Sequence, residues 1–109
     1  MLPGIHRGVD IAVPKGTPIR AMQDGRITFA GWMGGYGQVV WVDHRGSTTT
    51  IYAHLSEIAV QEGDRVRGGE VLGAAGSTGE ASAPHLHFEV RRRGRAVDPV
   101  PLLGGFPGS

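Results

Sequence analysis

The chain has 109 residues, 11 Lys/Arg against 10 Asp/Glu, a formal net charge of +1 and no cysteine. That length bounds it to one domain with a small core, and the near-neutral balance gives no reason to expect nucleic acid. The local basic cluster Arg91-Arg92-Arg93 with Arg95 has no accompanying aromatic ladder and reads as a solvated strand end. Disulfides, thiolate zinc sites and a cysteine nucleophile are excluded, and no apolar run approaches the ~20 residues of a membrane span. Met1-Leu2-Pro3-Gly4 leads directly into motif residues, so no signal peptide is expected within this stretch.

Glycine is the dominant residue, 19 of 109, and falls between short β-branched or alternating runs, the pattern of an all-β domain with tight turns. In chain order the pattern predicts strands near 9–13, 18–21, 26–32, 38–42, 48–54, 65–66, 71–74 and 85–92. Turn signals separate them, among them Pro14-Lys15-Gly16, Asp24-Gly25, Gly34-Gly35, Arg45-Gly46, Glu62-Gly63-Asp64, Gly68-Gly69 and Ser77-Thr78-Gly79. The link 43–47 reads as a hairpin between Val39-Val40-Trp41-Val42 and Thr48-Thr49-Thr50-Ile51-Tyr52. A period of two puts Tyr52 and His54 on one face. The densest helical candidate, 55–61, is too short to stand alone. Residues 102–109 are rich in Gly and Pro, so the expected organisation is a domain over 1–103 and a loose tail over 104–109.

The most informative stretch is Ala83-Pro84-His85-Leu86-His87-Phe88-Glu89-Val90. In a strand His85, His87 and Glu89 share one face while Leu86, Phe88 and Val90 anchor the other. The two histidine Cα atoms would lie roughly 6.6 Å apart, which suits one metal ligand with a second imidazole just outside. Taken alone, a solvated polar face explains the pair equally well. His6-Arg7-Gly8-Val9-Asp10 adds a histidine and a carboxylate. Gly8, Pro3-Gly4 and the β-branched residues argue against a helix there, and a straight strand would separate His6 and Asp10 by about 13 Å. A shared metal therefore requires a bend, expected at Gly8. Two histidines and a carboxylate suit zinc, with His6, Asp10 and one of His85 or His87 as candidate ligands. The remaining histidines are free for proton transfer or oxyanion stabilisation. His44, beside Asp43 and Arg45 in the hairpin link, reads as structural or exposed.

These motifs resemble peptidase family M23, the lysostaphin- and LytM-type zinc metallopeptidases that cut peptidoglycan. His6-Arg7-Gly8-Val9-Asp10 is similar to the family's H-x-x-x-D, Tyr52-Ala53-His54-Leu55-Ser56 to its Y-x-H-L-S, and His85-Leu86-His87-Phe88-Glu89 to its H-L-H-F-E. Connecting segments agree over about residues 4–102, including Tyr36-Gly37, Gly63-Asp64-Arg65-Val66, Gly76-Ser77-Thr78-Gly79 and Val97-Asp98-Pro99. The resemblance implies antiparallel sheets in a β-sandwich-like hybrid with a narrow groove. It implies one Zn2+ on His6, Asp10 and His87, with His54 and His85 as the non-ligand catalytic pair. The implied reaction is hydrolysis of a peptidoglycan cross-link, in the cell envelope (periplasm) or extracellular space. In that mechanism zinc lowers the pKa of a water, His85 accepts its proton, and zinc with His54 holds the oxyanion; which histidine is the main base stays open. Tyr52 and Glu89 are expected either to orient ligands or to pack. Ala83 stands where the family often has glycine, and the chain starts five residues before His6, whereas many relatives carry a further segment that walls or plugs the groove.

Three rival readings are weaker. A non-catalytic M23-like domain that activates other wall hydrolases would typically lack several of these residues. A lipoyl or biotinyl carrier shares the Gly-Asp-x-Val rhythm of 61–79, but the only lysine, Lys15, sits between Pro14 and Gly16 with no neighbouring methionine. Gly76-Ser77-Thr78-Gly79 lacks the spacing of a serine nucleophile elbow.

Overall fold

The structure, a computed structural model, describes residues 8–98. His6 and the expected 104–109 tail lie outside the described residues. Nine strands follow in order: β1 Val9–Ala12, β2 Pro18–Arg20, β3 Gly25–Trp32, β4 Gln38–His44, β5 Thr48–Ile58, β6 Arg65–Val66, β7 Val71–Ala75, β8 His85–Arg92 and β9 Arg95–Val97. One short 3-10 turn, Gly34–Tyr36, joins β3 to β4. Every pairing is antiparallel, as expected, and the main path runs β1-β8-β5-β4-β3-β6 without closing into a barrel.

The long strand β5 organises the sheet. Its first half pairs with β8 up to Ala53 opposite His87. Its second half leaves β8 and pairs with β7 from Leu55 opposite Ala75. His54 sits at this fork with φ 62°, a left-handed conformation uncommon for a residue with a Cβ. An isolated bridge between Gly76 and His85 ties the two diverging strands just beyond it.

The sheet has two unlike faces because strand side chains alternate. One face holds the main core, in which Ile27, Val40, Val42, Tyr52, Leu55, Leu72, Leu86, Phe88 and Val90 are buried. Each such side chain contributes on the order of 1.5–3 kcal/mol on burial. The other carries Val39, Ile51 and Ala53 under Phe29, Met33, Tyr36 and Trp41. His85, His87, Glu89 and Arg91 alternate with the core residues of β8 and so belong to this second face.

Three expectations change. Tyr52 and His54 do not share a face: Tyr52 is in the main core, whereas the His54 ring stands beside His85 and His87. The left-handed backbone at His54 breaks the period of two, which assumes extended φ and ψ throughout. The strand expected over 48–54 runs on to Ile58, through the stretch too short for a helix, because its end is recruited by pairing with β7. Strand β9 was not anticipated: Arg93 and Gly94, both at positive φ (53° and 79°), turn the chain back on β8. A two-residue hairpin of this kind normally advertises itself with Asn-Gly or Asp-Gly.

Candidate metal and catalytic site

Asp10 of β1 is the direct cross-strand partner of His87 of β8. The pairing brings Asp10 Oδ1 to 2.7 Å from His87 Nδ1 and 3.5 Å from His85 Nε2. Gly8 permits this approach. A Cβ there would collide with the Phe88 carbonyl and lie 2.7 Å from Glu89 Cγ. Close packing on β8 is thus what the described structure requires of Gly8. The rings of His54 and His85 are 4.8 Å apart between centroids, and those of His54 and His87 are 5.9 Å apart.

The three imidazoles are held in two opposite ways. His54 donates its Nδ1–H to the Thr78 carbonyl at 2.7 Å, and His85 donates its Nδ1–H to the Ala83 carbonyl at 2.8 Å. Each therefore has Nε2 as the ring nitrogen not held by the backbone, and that of His85 faces Asp10 Oδ1 at 3.5 Å. His87 is reversed: Nε2–H donates to Glu89 Oε2 at 2.8 Å, leaving Nδ1 towards Asp10. Position 83 enters through its backbone carbonyl, so Ala83 in place of glycine leaves this contact intact.

Glu89 is buried at 1% exposure and its carboxylate is fully engaged. Oε2 accepts from His87 and from the Tyr36 hydroxyl at 2.7 Å, and Oε1 accepts from Arg91 Nε and Nη2 at 3.3 and 3.2 Å. Burial alone would push Glu89 up, but hydrogen bonds from His87 and Tyr36, with the charges of His87 and Arg91, hold it below the ordinary carboxylate value. The hydrogen bond to Glu89 raises the pKa of His87 against the opposing effect of burial, and Asp10 adds to the rise. Burial lowers the pKa of His54; the Thr78 carbonyl opposes this, and the neighbouring His85 and His87 add to the lowering.

Two interlocked loops form the wall beside His54. Glu80 N–H donates to the Gly35 carbonyl at 2.8 Å, Gln38 N–H to Thr78 Oγ1 at 3.1 Å, and Thr78 Oγ1–H to the Leu55 carbonyl at 2.6 Å. Gly79, at φ 74°, lies so close to Gly37 N and the Gly35 carbonyl that no side chain fits. An open groove of about 320 Å³ is lined by Gly35, Tyr36, His54, Glu80, His87 and Glu89. A larger hollow of about 1230 Å³, bordered by Arg26, Asp43, His44 and Arg65, contains none of these histidines. It is a charged hollow at the other end of β4, and the histidines border the smaller groove instead.

Four of the five sequence-named residues therefore meet: Asp10, His54, His85 and His87. Among the described residues no group of three His, Asp or Glu side chains is arranged to hold a metal ion. Asp10 and His87 contribute an oxygen and a nitrogen, and the third named donor, His6, lies outside the described residues. Tyr52 is a packing residue: its hydroxyl accepts from Met22 N–H at 3.0 Å and pairs with Thr50 Oγ1 at 2.8 Å inside the core. Glu89 does orient a candidate ligand. His44 is structural, 7% exposed and bonded to the Asp24 carbonyl and Thr50 Oγ1. Sequence reasoning missed Thr78, Tyr36 and Arg91. Arg91 continues the alternation of His87 and Glu89 and was readable from the period of two, whereas Tyr36 and Thr78 reach the site through long-range folding.

The sequence pattern of Peptidase family M23 matches residues 4–99. The chain is 53% identical over 96 residues to the DD-carboxypeptidase/endopeptidase Mpg of Neisseria meningitidis serogroup B, covering 88% of this chain and 22% of that protein. It is 40% identical over 98 residues to the murein hydrolase activator EnvC of Escherichia coli, covering 90% of this chain and 23% of that protein. The chain thus spans less than a quarter of either relative. Its fold superimposes on the catalytic domain of the antimicrobial peptidase lysostaphin from Staphylococcus simulans with a TM-score of 0.85 at 39% identity, covering 93% of this chain and 84% of that one. By sequence pattern, by relatives and by fold, the chain belongs to peptidase family M23.

Proposed function

We propose that this chain is a zinc-dependent metalloendopeptidase domain that hydrolyses peptide cross-links of bacterial peptidoglycan, acting in the cell envelope (periplasm) or extracellular space. The observation that carries the reading is the opposed locking of the imidazoles: His87 turns Nδ1 towards Asp10, while His54 and His85 commit Nδ1 to backbone carbonyls and turn Nε2 away from them. The names of Mpg and of the lysostaphin catalytic domain point to the same class of reaction.

The donor set fits zinc. The two nitrogens of His87 face carboxylate oxygens, Nδ1 Asp10 Oδ1 at 2.7 Å and Nε2 Glu89 Oε2 at 2.8 Å. His87 Nδ1 and Asp10 Oδ1 are a nitrogen and an oxygen of the kind zinc takes. With His6 they complete the proposed three-ligand set. When bound, the ion supplies Lewis acidity that lowers the pKa of a water towards ~7 and polarises a carbonyl.

The chain's own residues do the rest. Nε2 of His85 or His54 accepts the proton as water attacks the scissile carbonyl. With Nδ1–H already on a backbone carbonyl, the ring that takes this proton gains a second donor at Nε2. That donor then serves the developing oxyanion or the leaving amine nitrogen. The Thr78 and Ala83 carbonyls keep both rings in this tautomer.

A second reading, a binding domain that regulates other wall hydrolases, is favoured by the similarity to EnvC. The test is mass spectrometry of products from purified cell walls of several cross-bridge types, using zinc-loaded protein beside His85→Ala. New peptide ends that depend on His85 are expected. No products on any wall together with no bound zinc would favour the regulatory reading.

A further inference from the structure

We infer that Arg91 is a positioning residue for the metal site, acting through Glu89 and Tyr36 to aim His87. The inference rests on the proposed zinc reading. Arg91 lies four residues beyond His87 on β8, on the same face, and is itself no candidate ligand. Its Nε and Nη2 take Glu89 Oε1 at 3.3 and 3.2 Å, and Nη2 also donates to the Tyr36 hydroxyl at 3.2 Å. That hydroxyl donates in turn to Glu89 Oε2 at 2.7 Å. Arginine, glutamate and tyrosine thus form a closed ring in which each member fixes the other two.

The consequence falls on His87. With Oε1 held by Arg91, the carboxylate cannot rotate, and Oε2 stays 2.8 Å from His87 Nε2. A histidine whose Nε2–H is committed in this way offers Nδ1, and only Nδ1, to an ion beside Asp10. Packing fixes the guanidinium as well: its Cζ stands 5.1 Å from the Trp41 ring centroid, within the range of a cation–π contact. Glu89 is 1% exposed, so without Arg91 its buried carboxylate would lose the guanidinium that fixes Oε1 and would be free to turn away from His87. Tyr36 belongs to the turn that lines the groove, so the ring also ties the groove wall to the strand bearing the ligand.

The experiment compares the parent chain with Arg91→Met, which keeps length and contact with Trp41 but removes the donors, and with Arg91→Lys, which restores the charge. Zn2+ dissociation constants are measured by chelator competition, and the His87 ring is followed by 15N NMR in the zinc-loaded proteins. Arg91→Met is expected to weaken Zn2+ binding about 10–100-fold and to lose the hydrogen-bonded His87 Nε2–H signal, with Arg91→Lys recovering part of both. Arg91→Met that melts earlier yet keeps the parent's Zn2+ affinity and Nε2–H signal would assign Arg91 a packing role and overturn this inference alone. A parent chain that binds no Zn2+ would overturn the zinc reading, and this inference with it.

Discussion

His54 and Thr78 meet at 2.7 Å, ring Nδ1 to backbone carbonyl, across the fork where β5 leaves β8 for β7. The contact explains a left-handed backbone at a residue with a Cβ. The strained conformation swings the ring out of the main core, and the Thr78 carbonyl receives it. Strain held by surrounding structure is a recurrent feature of functional sites. Replacing His54 with Ala should therefore leave zinc stoichiometry at the parent value and lower kcat on wall substrates about 10²–10⁴-fold. Metal analysis and single-turnover product formation check the two halves separately. Turnover at the parent rate would remove His54 from the mechanism.

His87 and His85 are two residues apart on one face, yet their locked tautomers predict different losses. His87→Ala should fail to hold Zn2+ at full stoichiometry after dialysis. His85→Ala should hold it and lose most turnover, about 10²-fold or more. Metal content measured beside turnover separates the roles, and equal metal loss in both variants would contradict the division.

Gly8→Ala tests the approach of β1 to β8. The added methyl meets the Phe88 carbonyl, which is backbone in a buried strand and cannot turn aside. Overpacking of this kind costs about 1–3 kcal/mol, visible as a lower denaturant midpoint. Because Asp10 rides on the same strand, Zn2+ affinity should fall with it. An unchanged midpoint would show that the two strands separate freely.

Tyr52 makes the stability of the chain sensitive to alkali. Burial pushes its hydroxyl up to about 12 from 10.0, hydrogen bonds involving Thr50 and Met22 opposing only in part. The unfolded chain ionises near pH 10 while the folded chain does not. Stability from this group is thus fully present below pH 10 and lost as pH rises towards 12, by about 3 kcal/mol in all. Tyr52→Phe should cost roughly 1 kcal/mol at neutral pH and flatten the fall above pH 10. Denaturant titrations at pH 8, 10 and 11 would reveal either slope; identical slopes in both proteins would assign the alkaline loss to other groups.

Much of the architecture was legible because strand signals are local. Alternation in 85–92 marked β8 with its correct bounds, and the glycine turns placed eight of the nine strands among the described residues. The errors share one cause. Tyr52 and His54, the extension of β5 beyond residue 54 and the β9 hairpin all depend on backbone conformation or pairing that departs from local preference. The left-handed turn at His54 and the partner exchange of β5 are decided by β7 and β8 together, which no window of a few residues contains.

By itself the sequence determined that this is an all-β chain, that His85, His87 and Glu89 share a face opposite Leu86, Phe88 and Val90, and that its motifs are those of family M23. Period and turn chemistry act between near neighbours, so they survive in a linear reading. Only the tertiary structure decided which nitrogen each imidazole presents. Among the groups that hold these rings, Thr78 lies 24 residues from His54 and Asp10 lies 77 from His87, and Tyr36 reaches Glu89 across 53. Two partners are local: Glu89 beside His87 shares its readable face, whereas the Ala83 carbonyl beside His85 leaves no trace in side-chain identity because it is backbone. A histidine's proton goes where its second hydrogen bond directs it, and here folding supplies that bond.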